Sequence, residues 1–232
     1  MTWAIPCPLQ PSLAIAGSAE RFPVRRIYCV GQNYAAHARE MGSNPDREPP
    51  FFFSKPADAM VPDGATVPYP PGTENLHHEV ELVVAIGVGG TNISVETALN
   101  HVWGYAIGND LTRRDLQAEA KKIGRPWDMA KGFDLSAPCG DLRPAAATGH
   151  PSAGYIRLSV NDKTRQSSDL SDLIWSVPEV IAHLSSTITL APGDLIFTGT
   201  PEGVGALVPG DTCVAEISGL GQLTTHIGSA AS

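Results

Sequence analysis

The chain has 232 residues, 42% of them hydrophobic, and a net charge of −8 from 24 acidic and 16 basic side chains; its mean hydropathy is −0.05. That length can bury a substantial core in one large domain. The acidity, with no basic cluster beyond two or three residues, excludes nucleic acid as a partner, although local arginines and lysines can still receive an anionic substrate.

Twenty prolines and 23 glycines, spread along the chain, suit many short strands joined by turns rather than long helices. Cys7, Cys29, Cys139 and Cys213 lie far apart without a C-x-x-C pair, and read as reduced thiols of a cytoplasmic protein. No apolar run approaches the roughly 18 residues of a membrane span. The start, broken by Pro6, Pro8 and Pro11, lacks the cationic segment of a signal peptide.

Residues 1–24 read as an extended arm or a short strand pair, and 25–232 as one catalytic domain without an internal boundary. Arg26-Ile-Tyr-Cys-Val30 is a strand. Asn33 is the expected N-cap of a short helix from Tyr34 to Met41, closed by Gly42. On it His37 and Glu40 are three residues apart and share a face. After a proline-rich loop, Phe51-Phe-Phe-Ser-Lys55 reads as a buried strand that delivers one cation to its end.

Leu76-His-His-Glu-Val-Glu-Leu-Val-Val-Ala-Ile86 is predicted as a single strand. Alternation puts Glu79 and Glu81 on one face, about 7 Å apart along the chain. Paired carboxylates on an apolar strand repel and are costly to desolvate, and a divalent cation between them removes both costs. His77 and His78 face opposite ways and cannot easily share an ion, so one reads as a supporting donor or as packing. His101 to Gly108 is a further strand, and Asp110 follows it where a helix N-cap is also plausible. Arg114 and Gln117 lie three apart and can share a face with Asp110.

Lys121 to Asp134 reads as a loop that closes over something and carries Lys131. Tyr155-Ile-Arg-Leu-Ser-Val160 alternates into a turn at Asn161-Asp162. Ser176-Val-Pro-Glu179 is a capping box opening a helix. A strand at Leu195 to Thr200, a glycine-rich loop to Gly205, and two strands around 213–217 and 223–227 complete the chain. Glu79, Glu81 and Asp110 make an all-oxygen set suited to Mg²⁺ or Mn²⁺, with Ca²⁺ a further option, and not to zinc.

Six motifs occur in order: Tyr28-Cys-Val-Gly-Gln-Asn-Tyr-Ala-Ala-His-Ala-Arg-Glu40, Ser54-Lys-Pro56, His78-Glu-Val-Glu-Leu82, Gly108-Asn-Asp-Leu-Thr-Arg-Arg-Asp115, Lys131-Gly-Phe-Asp134, and Pro192-Gly-Asp-Leu-Ile-Phe-Thr-Gly-Thr-Pro-Glu-Gly-Val-Gly205. Together they resemble the fumarylacetoacetate hydrolase family, from about Arg25 to Ile227. Arg125-Pro-Trp-Asp-Met-Ala-Lys-Gly-Phe-Asp134 and Asp172-Leu-Ile-Trp-Ser-Val-Pro-Glu179 are most similar to its members that cleave fumarylpyruvate. The resemblance implies an α+β, β-rich fold, a mixed β-roll or barrel with few short helices, and a homodimer. It implies metal ligands at Glu79, Glu81 and Asp110, a catalytic set of His37, Glu40 and Lys131, and substrate contacts at Arg114, Gln117 and Thr200. Lys55 is a further candidate to neutralise the bound acid.

The implied reaction is metal-dependent C–C hydrolysis of a 2,4-dioxo acid, with acylpyruvase, oxaloacetate decarboxylase and oxaloacetate tautomerase as alternatives within the family. Two readings from other classes fare worse. Leu82 to Gly90 is a strand followed by glycines but lacks the third glycine of a dinucleotide site, and Pro201 to Gly205 carries no Gly-Lys-Ser/Thr for ATP. A non-catalytic metal-binding module would keep the carboxylates without needing His37, Glu40 and Lys131 together.

Overall fold

Alternating apolar residues and frequent turn residues give two large mixed sheets in the computed structural model, which describes residues 2–42 and 48–230. The first sheet has six strands in the order Arg143–Pro144, Val102–Asn109, Val80–Ile86, Asp194–Phe197, Arg26–Gly31 and Phe51–Lys55. The second has five, in the order Lys163–Asp169, Tyr155–Val160, Thr212–Ile217, Gly221–Gly228 and Ala65–Pro68. Pairing is antiparallel except where Asp194–Phe197 meets Arg26–Gly31 and where Gly221–Gly228 meets Ala65–Pro68. Both sheets are open at their edges among the described residues, so the expected β-rich fold is present but not closed into a barrel.

The main core lies between the sheets. Leu82, Val84 and Ile86 of the first meet Ile156, Leu158, Ala215, Ile217 and Leu223 of the second. Val83 and Ala85 face the other way, into a cluster with Leu13, Phe22, Ile27, Leu195 and Phe197. Burial of both faces explains the unbroken apolar run of this strand, each large side chain adding ~1.5–3 kcal/mol. The amino-terminal segment forms a strand pair, Ser12–Ala14 with Arg21–Pro23, which supplies part of the second cluster. Asp194 is fully buried and accepts ion pairs from Arg25 at 3.1 Å and Arg26 at 2.9 Å, pinning two neighbouring strands at their start.

Among the described residues five short α-helices decorate this frame: α1 (Ala35–Glu40), α2 (Arg114–Ile123), α3 (Asp128–Lys131), α4 (Ala145–Thr148) and α5 (Val177–Thr187). The capping box at Ser176 and Glu179 forms as expected at the start of α5. Asn161 and Asp162 both adopt positive φ, which makes the hairpin turn after Val160.

Four local expectations are corrected. Tyr34, not Asn33, caps α1, because the Asn33 amide is used elsewhere: it donates to the carbonyls of Trp175 and Thr198 and accepts from the Trp175 N–H. Lys131 belongs to a helical turn, α3, rather than to a loop. Phe51 is exposed and Phe52 and Phe53 are half-buried, so Lys55 is the buried end of its strand. The strand predicted over 76–86 breaks at Glu79: Leu76–His78 pairs with Thr112–Arg113 and Gly205–Leu207 in a small third sheet, and Val80–Ile86 enters the large one. Of the proline-rich loop after α1, residues 43–47 lie outside the described residues.

Candidate active site

The break at Glu79 builds the site. Where the chain changes sheets, the Glu79 N–H donates to Asn109 Oδ1 at 3.0 Å and its carbonyl accepts from the Asp110 N–H at 2.8 Å. Two adjacent strand ends are thereby locked together, and Glu79, Glu81 and Asp110 converge. Their ligand oxygens all lie within 4.8 Å of one another, and all three residues are buried.

Buried cations surround this cluster. Lys131 Nζ donates to Glu79 Oε2 and to Asp110 Oδ2, each at 2.7 Å. Arg114 pairs with the other Glu79 oxygen, donates to Gln117 Oε1 at 2.5 Å, and reaches His77 Nδ1 at 3.3 Å. Burial alone would raise the Glu79 carboxyl, but Lys131 and Arg114 outweigh it and hold it below the ordinary range. Burial likewise opposes the Lys131 charge, and Asp110 and Glu79 overcome it and leave the ammonium above its usual value. Burial and Arg114 together lower His77 to about 4, so it is a neutral acceptor for that guanidinium.

Among the described residues Glu81 has no such partner. Its Oε2 accepts from the Gly199 N–H at 2.8 Å. Burial, then Asp110 and Glu79, push its carboxyl well above the ordinary range. Asp110 Oδ1 is also buried without a hydrogen bond. Lys55 Nζ lies 2.8 Å from it as a charge contact, while donating to the carbonyls of Leu111 and Lys131. A divalent cation fits this donor set: three buried carboxylates with converging oxygens, one of them without a counter-charge among the described residues.

Above the carboxylates stands α1. His37 is buried, with Nδ1 3.0 Å from Glu40 Oε2, and the other Glu40 oxygen accepts from the Gly203 N–H at 3.0 Å. His37, Glu79, Glu81, Arg114, Gln117, Lys131 and Thr200 line one cavity, walled by Phe53 and Trp127. Seven of the site residues expected from sequence thus line the cavity, while Glu40 stands behind His37, Asp110 joins Glu79 and Lys131, and Lys55 lies behind Asp110 and holds the carbonyl of Lys131. Asp110 caps no helix; α2 starts four residues later behind Arg113.

Three contributors escaped the sequence reading. Asn109 sets the Glu79 backbone. Lys121, one turn beyond Gln117 on α2, extends the polar lining. Gln166 reaches from the second sheet to His78, Val80, Thr200 and Pro201. Only the Arg114, Gln117, Lys121 spacing was readable, as one face of a helix.

The family described as fumarylacetoacetate (FAA) hydrolase C-terminal matches residues 26–228. A crystal structure of fumarylpyruvate hydrolase from Pseudomonas aeruginosa, in complex with Mn²⁺ and pyruvate, superposes with a TM-score of 0.96 at 54% identity, covering 98% of this chain and 100% of that one. The fumarylpyruvate hydrolase of a Ralstonia species is 46% identical over 79% of this chain and 95% of its own length. The mitochondrial oxaloacetate tautomerase FAHD1 of Rattus norvegicus is 44% identical over 84% of this chain and 88% of its own. The chain belongs to the fumarylacetoacetate hydrolase family, with a carboxylate triad suited to a divalent metal.

Proposed function

We propose that this protein hydrolyses the C–C bond of a 2,4-dioxo acid, converting fumarylpyruvate and water to fumarate and pyruvate. The observation that carries the reading is one cavity lined by His37, Lys131, Glu79 and Glu81, with Glu40 behind His37 and Asp110 completing the carboxylate cluster. Likeness to fumarylpyruvate hydrolases over nearly the whole chain supports the choice of substrate. Held by the three carboxylates, Mg²⁺ or Mn²⁺ would supply Lewis-acid polarisation of the 2-oxo acid.

The chain's own groups account for the remaining steps. Glu40 fixes the His37 ring through Nδ1, leaving Nε2 to take a proton from water. Hydroxide adds to the C4 carbonyl, and the oxygen that becomes negative needs a donor. Lys131 has three ammonium hydrogens; Glu79 and Asp110 take two, and among the described residues none takes the third, which serves that oxygen. The C3–C4 bond breaks with its electron pair on the pyruvate half, which leaves as an enolate. His37 returns its proton to C3, giving pyruvate, and the acid formed at C4 ionises to fumarate. Arg114, Gln117 and the Thr200 hydroxyl hold the pyruvate end.

Oxaloacetate tautomerisation is the second reading, favoured by the 44% identity to the rat enzyme and by an enolate common to both reactions. Product analysis separates them. Metal-depleted protein is given fumarylpyruvate or oxaloacetate, with and without Mg²⁺ or Mn²⁺. Metal-dependent formation of fumarate and pyruvate, faster than any change in oxaloacetate, supports the hydrolase. Persistence of fumarylpyruvate while oxaloacetate is tautomerised overturns it.

A further inference from the structure

Gln166 is the one fully buried residue of an otherwise exposed or half-buried strand, Lys163–Asp169. A buried amide is costly unless each of its hydrogen-bonding positions is satisfied. Here all four are. Oε1 accepts from the Val80 N–H at 3.1 Å and lies 3.0 Å from His78 Nδ1. Nε2 donates to the Pro201 carbonyl at 2.8 Å and to Thr200 Oγ1 at 2.7 Å.

The orientation of this amide is not a free choice. A backbone N–H can only donate and a proline carbonyl can only accept, so exchanging oxygen and nitrogen would set donor against donor and acceptor against acceptor. Thr200 Oγ1 therefore accepts from Gln166, and the single hydroxyl proton has to be used elsewhere. Thr200 is buried except toward the cavity that it lines, next to Gly199, whose N–H holds Glu81. The loop is held against the strand by close approach: a Cβ on Gly203, at φ +89°, would lie 2.1 Å from the Arg165 carbonyl oxygen.

We propose that Gln166 is a positioning residue that turns the Thr200 hydroxyl proton into the cavity, making Thr200 an obligatory donor to the carboxylate of the bound 2-oxo acid. This rests on the function proposed above for the identity of that acid. Gln166 does not line the cavity; it reaches it through Thr200, while its oxygen braces His78 and Val80 on either side of Glu79. The arrangement also favours anions: an acceptor offered to the cavity meets a hydrogen-bond donor wherever Thr200 stands.

The test is a double-mutant cycle on pyruvate binding to the Mn²⁺-loaded protein, followed by calorimetry, with kcat and KM for fumarylpyruvate measured alongside. Thr200→Val should weaken pyruvate roughly tenfold or more, the usual size for a hydrogen bond to a charged group. Gln166→Met should weaken it by a similar factor, and the double variant should bind no worse than either single one. Factors that multiply in the double variant, or Gln166→Met with normal pyruvate binding and only a lower melting temperature, overturn the proposal. If Gln166→Met does not fold, Gln166→Glu keeps size and the acceptor for Val80 but offers Thr200 an oxygen. Its pyruvate affinity should fall to the level of Thr200→Val, and wild-type affinity overturns the proposal. Because the cycle is read by binding, failure to hydrolyse fumarylpyruvate would remove the proposed substrate without deciding the role of Gln166. A wild-type protein that binds no pyruvate would remove the role itself.

Discussion

Lys131 Nζ stands 2.7 Å from Glu79 Oε2, with both side chains under 5% exposed, at 3% and 4%. Removing one partner of a buried pair leaves an uncompensated charge and costs about 3 kcal/mol or more. Lys131→Met should therefore lower the urea midpoint of the metal-free protein at an unchanged slope. Added Mn²⁺ should restore more stability to this variant than to wild type, since a cation replaces the missing ammonium. Equal midpoints without metal would contradict the pairing.

Glu81 leads to the opposite expectation. Burial, reinforced by Asp110 and Glu79, raises its carboxyl in the folded protein. A carboxyl raised on folding costs stability as pH climbs from its unfolded value, about 4.3, through its folded one. The cost is absent below pH ~4 and present once the folded group has ionised. Glu81→Gln should raise the melting temperature of metal-free protein near pH ~8, leave it unchanged near pH ~4, and abolish the rise produced by Mn²⁺. A lower melting temperature at the higher pH would show that Glu81 has a counter-charge after all.

The carboxylate cluster was legible because strand alternation is local: Glu79 and Glu81 are two residues apart and Asp110 ends the neighbouring strand. The break at Glu79 was not legible, because it depends on the Asn109 amide, 30 residues away. Gln166 meets His78 from 88 residues away, and its strand gives no periodic hint that one polar position turns inward. Asn33 shows the same limit from the other side. Its sequence context fits a helix cap, and tertiary partners 142 and 165 residues distant claimed the side chain instead.

That use of Asn33 can be measured. The side chain makes hydrogen bonds to Trp175 N, Trp175 O and Thr198 O, and removing it strands buried backbone groups at about 1–3 kcal/mol. Asn33→Ala should destabilise by roughly 2 kcal/mol or more in chemical denaturation. A change under about 0.5 kcal/mol, the size typical of surface substitutions, would mean that water replaces these contacts freely.

Glu40 divides its oxygens between His37 and the Gly203 N–H, so the imidazole is oriented by a loop as well as by its own helix. His37→Ala should lower kcat about 10²-fold or more while pyruvate binding stays within a few-fold, as expected for loss of a general base. Gly203→Ala should lower both kcat and thermal stability, since φ +89° and the Arg165 carbonyl leave no room for a methyl group. Normal kcat in His37→Ala would remove histidine from the proton transfer.

The most direct test of C–C hydrolysis at this site follows oxygen. Mn²⁺-loaded protein turns over fumarylpyruvate in ¹⁸O-water, and the fumarate is examined by mass spectrometry. Hydrolysis through His37 places one ¹⁸O atom in each fumarate, on the carboxylate formed from C4, with the rate collapsing in His37→Ala. Unlabelled fumarate, or fumarylpyruvate recovered intact, would contradict it.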